Sequence, residues 1–155
     1  MYRQQQSDLA AYTIEKYSSL EGYTADLLDV CTALELEQII FIGHSVSSMI
    51  GMLAAIKSLH LFTCIIMIGP SPCFINDSDY KGCFYTDEVE ALFALMKKNY
   101  REWATFFAPR AMGNLDRPEL YKSLRERFYA ADPTITLHSA SVIFYADHRK
   151  DLSKL

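Results

Sequence analysis

Apolar positions change their period along the chain. Leu27, Val30, Cys31 and Leu34 recur at i, i+3, i+4 and i+7, which predicts a helix from about Gly22 to Leu34 with one apolar face. Ile39-Ile40-Phe41-Ile42 follow without a polar break, the pattern of a strand buried on both faces of a parallel sheet. Gly43 to Ser47 predict a sharp turn. A second helix then runs from about Val46 to Ser58, and its small residues Ser47, Gly51, Ala54 and Ala55 allow it to lie close to a sheet. Cys64-Ile65-Ile66-Met67-Ile68 predict another buried strand, stopped by Gly69-Pro70. Strand, helix and strand in succession make a βαβ unit with a right-handed crossover, so the fold class is α/β.

Near residue 70 the pattern changes to helix alone. Residues 71–83 read as a loop, and four helical stretches follow. Val89, Leu92, Phe93 and Met96 line the first. The second, Asn99 to Ala108, carries Trp103, Phe106 and Phe107, and Pro109 is expected to end or kink it. Asp116-Arg117-Pro118-Glu119 open the third, where Asp and Glu three apart resemble a capping box. Asp132-Pro133 open the fourth, with Asp as N-cap and Pro at the first helical position. Ile135, Ser139, Val142 and Ala146 share a stripe on it. The expected division is 1–70 as core, 71–147 as a helical domain, and 148–155 as the start of a return to the core.

Composition narrows the function classes. The chain has 155 residues, half of them hydrophobic and 22% charged, which is the make-up of a globular protein. A net charge of −4 argues against nucleic-acid binding, which calls for a basic patch or stripe. No apolar run reaches the length of a membrane span, and the polar Met1–Gln6 start is not a signal peptide. Cys31, Cys64, Cys73 and Cys83 form no Cys-x-x-Cys pair and no zinc-like spacing with histidine. Cys31 and Cys64 sit in apolar segments, as free thiols do. A reducing, cytoplasmic setting is expected, with no metal site.

The chemistry centres on Gly43-His44-Ser45-Val46-Ser47, between a predicted strand and a predicted helix. That is the context of a nucleophile elbow, written G-x-S-x-G, here with Ser47 in place of the last glycine. Such a turn lifts the Ser45 hydroxyl above the sheet and leaves the Val46 backbone N–H at a helix N-terminus, aimed at a developing oxyanion. The alternative is an ordinary βα turn with a capping serine.

Phe41-Ile42-Gly43-His44-Ser45-Val46-Ser47-Ser48-Met49-Ile50-Gly51 resembles one branch of the α/β-hydrolases, the branch of the bacterial energy-stress regulator RsbQ and the plant karrikin and strigolactone receptors. The resemblance continues through Met67–Cys73, Asn76-Asp77, Asn99-Tyr100, Trp103-Ala104, Phe107-Ala108-Pro109 and Ala146–Lys154, and backward to Leu20–Tyr23 and Ser7-Asp8-Leu9. It covers about residues 7–155, and the RsbQ-like group is the nearest match. It implies a partial α/β-hydrolase fold with a four-helix lid over a pocket, and Ser45 as nucleophile of a Ser–Asp–His triad. It also places His44, Phe74, Leu92, Trp103, Phe107, Phe128 and Phe144 at pocket positions. For about half of the lid's apolar residues, plain packing within the lid is the better reading. A pocket of that kind suits a small hydrophobic ester or lactone-like ligand, with no cofactor.

The family order is Ser, then Asp, then His. Relatives place the last two after strands beyond the point matched by Leu155, and Met1–Gln6 does not match their glycine-rich loop. The expectation is a fragment with little turnover, whose two strands show open edges and a bare apolar face. An internal triad would draw on Asp116 or Asp132 with His138 or His148, but both aspartates read as helix caps and both histidines lie on or beside lid helices. His44 is expected to point away from the nucleophile, and His60 to lie at the surface. Three functions compete. One is a serine hydrolase. Another is a signalling regulator or ligand receptor whose lid binds a partner such as a regulatory phosphatase. The third is an inactive truncated gene product.

Overall fold

Two unbroken apolar runs form the sheet. β-Branched isoleucines lose side-chain freedom in a helix and pack well on a pleated surface. Ile39–His44 is strand β1 and Phe62–Ile68 is strand β2. The two are parallel, with Ile40 opposite Cys64 and His44 opposite Ile68. The computed structural model describes residues 11–155. The Met1–Gln6 segment and the Ser7-Asp8-Leu9 match lie outside the described residues. The described chain divides into two compact units, one made of residues up to Phe74 with Val142–Leu155, the other of Ile75–Ser141.

In the first unit, helix α1 (Leu20–Ala33) precedes β1, and helix α2 (Val46–Lys57) joins the strands. Leu20, Met49, Met52 and Leu53 form the core, with Tyr23, Val46, Ile50, Ile56, Met67, Val142 and Ala146 packed around them. Gly51 lets α2 approach β1, since a Cβ there would stand 2.2 Å from the Phe41 ring.

Two expectations about burial fail here. The strands are covered on one face only. Phe41, Gly43, Ile65 and Met67 lie under α2 or beside it, whereas Ile40 and Ile42 are 62% exposed and Cys64, Ile66 and Ile68 are exposed with them. The bare apolar face expected of two strands alone is present among the described residues. The apolar face of α1 is also shifted. Val30 is 52% and Leu34 64% exposed, and the buried positions are Leu20, Gly22, Thr24 and Cys31. The stripe that meets α2 therefore includes a polar residue, and Thr24 is accommodated because its hydroxyl donates to the Leu20 carbonyl at 2.8 Å.

The second unit is helical. Helix α3 (Thr86–Lys98) buries Val89, Phe93 and Met96, with Leu92 half-buried beside them. Helix α4 (Tyr100–Met112) does not end at Pro109. It runs on to Gly113, which takes the left-handed conformation and donates its N–H to the Pro109 carbonyl at 3.0 Å. Proline removes one donor but leaves its carbonyl free to accept. Helix α5 (Pro118–Ala130) has Arg117 as N-cap with no side-chain cap, so Asp116 makes no capping box; Glu119 pairs instead with Arg117 at 3.1 Å. Helix α6 (Pro133–Tyr145) is capped as expected, Asp132 Oδ1 accepting from the Thr134 and Ile135 N–H groups at 2.8 and 2.9 Å.

The segments flanking Ile75–Ser141 are stitched together within the first unit. Cys73 and Asp147 form an antiparallel bridge, the His148 N–H donates to the Pro72 carbonyl at 2.7 Å, and the Phe74 and Phe144 rings lie 5.5 Å apart. Arg149 holds the Asp147 carboxylate at 2.7 and 2.9 Å. Among the described residues, no helix is long and apolar enough to cross a membrane.

Candidate functional site

The site begins where β1 ends. Gly43 is buried, and an added Cβ would stand 2.7 Å from the Ser48 nitrogen and 2.8 Å from the Ser47 carbonyl group. Only glycine fits so close to backbone. Ser48 is buried too, and its hydroxyl donates to the Gly43 carbonyl at 2.9 Å, tying the first turn of α2 to the strand. Ser47, in the place of the second glycine, is exposed. Its side chain stands clear of the crowded interior, which explains why a serine is accepted there.

Between them, Ser45 takes φ 55°, ψ −126°, a region sparsely occupied by residues with a Cβ and worth of order 1–3 kcal/mol of strain. Its N–H donates to the Ile68 carbonyl at 2.9 Å and its carbonyl accepts from the Ser48 N–H at 3.0 Å. The backbone is thus held from the end of β2 on one side and from α2 on the other. Val46 is the first residue of α2; its N–H is one of the helix's leading donors that have no intrahelical acceptor. These donors gather partial positive charge beside Ser45. Among the described residues, none hydrogen-bonds to the Ser45 hydroxyl.

His44 is exposed and shares the bare sheet face with Ile40 and Ile42, so the strand alternation turns it opposite to Gly43. His60 is exposed, in a short 3₁₀ turn before β2. The adjacent Asp147 and His148 each have a partner of their own. Arg149 takes the Asp147 carboxylate and holds it down to a pKa of about 2. His148 Nδ1 lies 2.9 Å from Asp151 Oδ2. Asp151 is held below the usual carboxylate range first by Lys154 and then by His148. Asp132 is occupied as the α6 cap.

The aromatic residues fall into two sets. Phe74 and Phe144 meet in the first unit. Trp103, Phe107 and Phe128 cluster in the second, with ring centroids 4.9–6.1 Å apart. Trp103 is only 3% exposed, and its Nε1 has no acceptor among the described residues. Sequence reasoning missed Tyr100, which stacks on Trp103 at 5.4 Å. Its hydroxyl donates to the Phe128 carbonyl at 2.9 Å, and burial pushes its pKa up. The signal was available in the i, i+3 spacing of Tyr100 and Trp103. A cleft of about 510 Å³, lined by Cys31, Glu35, Gln38, His60 and Leu61 among others, lies at the opposite ends of the strands from Ser45. No group of three or more potential metal ligands occurs among the described residues.

No protein-family model matches the chain. It is 37% identical over 138 residues to "Strigolactone esterase D14" of Arabidopsis thaliana, which covers 89% of this chain and 51% of that protein. It is 35% identical over 139 residues to "Karrikin insensitive 2 receptor CA" of Petunia hybrida, covering 89% and 51%. A solved structure described as a hydrolase from Oleispira antarctica superposes with a TM-score of 0.92 at 42% identity, covering 96% of this chain and 55% of that one. The chain spans about half the length of the curated relatives it matches. With a parallel strand–turn–helix–strand unit followed by four helices, and these relatives, the chain carries part of the α/β-hydrolase fold and resembles members of the α/β-hydrolase family.

Proposed function

We propose that this chain is the nucleophile-bearing part of an RsbQ-like serine hydrolase acting on a small hydrophobic ester or lactone-like ligand. Ser45 attacks the ligand carbonyl, and the Val46 N–H donates to the oxyanion. The observation that carries the reading is the Ser45 backbone at φ 55°, ψ −126° between strand and helix. A merely capping serine has no need of that strain, whereas an elbow does. Phe74, Leu92, Trp103, Phe107, Phe128 and Phe144 are assigned to the ligand pocket and residues 71–147 to the lid, whereas His44, on the bare face of the sheet, is left out of the pocket. Neither a cofactor nor a metal enters the reaction. The setting is cytoplasmic, in keeping with four free cysteines.

By themselves, these 155 residues are expected to turn over esters barely. A serine hydroxyl is a weak nucleophile without a base, and His148, one of the two histidines considered for an internal base, is engaged with Asp151. The test joins this chain to the matching flanking segments of the Oleispira antarctica hydrolase and assays small esters. The chimera should hydrolyse them, and Ser45→Ala should reduce the rate by roughly 10⁴ or more. An active chimera that stays active with Ser45→Ala sinks the nucleophile assignment. Brisk, Ser45-dependent hydrolysis by the 155-residue chain sinks the claim of inactivity.

A second reading rests on the relatives' names, which include receptors as well as esterases. In it the chain serves a ligand receptor or stress-signalling regulator, and the lid binds a partner protein such as a regulatory phosphatase.

A further inference from the structure

Arg101 and Thr105 stand one turn apart on α4, and Arg125 and Tyr129 one turn apart on α5. The Tyr129 ring carries the Arg101 guanidinium 4.0 Å from its centroid and that of Arg125 at 5.6 Å. The Tyr129 and Thr105 hydroxyls share a 2.8 Å hydrogen bond. Two cations on one ring repel each other, and the ring's negative faces offset only part of that. The counter-charge is meagre. Arg125 Nη2 has an exposed 3.1 Å pair with Glu126, and its Nε is buried without an acceptor among the described residues. Arg101 is exposed, and among the described residues its guanidinium has no hydrogen-bond or ion-pair partner. Of the neighbouring arginines, Arg117 pairs with Glu119 and Arg110 donates to the Phe106 carbonyl, whereas exposed Arg127 on α5 shares with Arg101 the lack of a side-chain partner among the described residues.

Arg101, a guanidinium without a counter-ion beside a second one that has a single exposed pair, stands on a chain whose net charge is −4. A guanidinium stacked on a ring by one face still presents its planar fork of donors at the edge. That fork matches a carboxylate with two parallel hydrogen bonds. We propose that the Arg101–Tyr129–Arg125 cluster on α4 and α5 is a docking site for an acidic segment of a partner protein, whose carboxylates supply the counter-charge missing at Arg101. The site gives a chemistry to the partner-protein reading above and is independent of Ser45.

The test is fluorescence anisotropy of a labelled oligo-glutamate peptide titrated with the 155-residue chain at low and at physiological salt. Saturable binding that weakens with salt is expected. Arg101→Gln, at an exposed position, should lower the affinity about tenfold, the effect of one charge-assisted bidentate contact. Arg101→Lys should fall between, keeping the charge without the fork. Lys98→Gln on α3 removes the same charge elsewhere and should leave the affinity unchanged. Circular dichroism of each variant checks the fold. Absence of saturable binding overturns the proposal, as does an equal loss with Lys98→Gln, which would mean diffuse charge. Full affinity in Arg101→Gln accompanied by a lower melting temperature would make the cluster a clamp between helices and nothing more. None of these results touches the esterase assay, so the two readings fail separately.

Discussion

Gly43→Ala puts a methyl group where backbone already stands. Its Cβ would lie 2.7 Å from the Ser48 nitrogen and 2.8 Å from the Ser47 carbonyl carbon and oxygen. Unstrained contacts of this kind need about 3.5 Å, so the first turn of α2 must retreat by nearly that difference. Retreat also stretches the buried Ser48–Gly43 hydrogen bond of 2.9 Å. Overpacking of this kind costs about 1–3 kcal/mol, and the weakened hydrogen bond adds about 1. Alanine returns about 0.4–1 kcal/mol by restricting the unfolded chain. The net expectation is a loss of about 1–3.5 kcal/mol. Gly51→Ala is the informative comparison. Its overlap is nominally worse, the nearest atom standing 2.2 Å away, but the atoms met belong to the Phe41 ring. A ring can rotate or slide, and alanine inside a helix gains about 1 kcal/mol over glycine. The position with the smaller overlap should therefore cost more. Urea unfolding of both variants, followed by circular dichroism, gives the two midpoints, and an unchanged slope shows that the unfolded state is the same. A Gly51→Ala loss equal to or larger than that of Gly43→Ala would refute the reasoning. So would a Gly43→Ala midpoint within about 0.5 kcal/mol of the parent.

Two further expectations concern the same unit. Ser45→Gly releases the backbone strain at φ 55° and should raise stability by about 1 kcal/mol, whereas Ser45→Ala should not; equal melting temperatures for the two would argue against strain at the elbow. Asp147 has its pKa lowered from 3.8 to about 2, first by the hydrogen bond from Arg149. A depressed folded pKa means that the pair stabilises the fold above pH 3.8 and that this contribution is lost as pH falls through about 2. The carboxylate is half-exposed, so the effect is at most about 1 kcal/mol after solvent screening. Asp147→Asn should flatten the acid limb of the stability curve, and an identical limb in the variant would rule out the pair as its source.

The strand–turn–helix around Ser45 was legible because everything it needs is local. Ile39–Ile42, the glycine at 43 and the small-faced helix after it are adjacent in sequence, and no distant partner is required to place them. What failed depended on partners. Leu27, Val30, Cys31 and Leu34 form a good stripe on paper, but α2 meets a different side of α1, and Thr24 is buried there because it satisfies its own hydroxyl. An unbroken apolar run such as 39–42 does not say how many of its faces are covered. Pro109, expected to end or kink its helix because of the hydrogen bond it forfeits, does not end it, since one missing bond does not outweigh the packing of Trp103, Ala104 and Ala108. Asp116 lost its capping role because Arg117, not Asp116, occupies the N-cap before Pro118.

The stitched segments on either side of Ile75–Ser141 have a consequence for how this molecule can vary. Cys73 bridges Asp147, Pro72 accepts from His148, and Phe74 meets Phe144. The two ends of the inserted stretch therefore leave the first unit side by side, already closed by contacts that belong to that unit. An insert between such ends can change in length at little entropic expense, since each doubling of a loop costs only about 0.6 kcal/mol. Residues 75–141 are thus an exchangeable cassette. A short glycine-serine linker or a different set of helices, spliced between Phe74 and Val142, should leave the strands and the Ser45 turn in place, and new binding surfaces can be tried at this junction without rebuilding the turn that holds the serine.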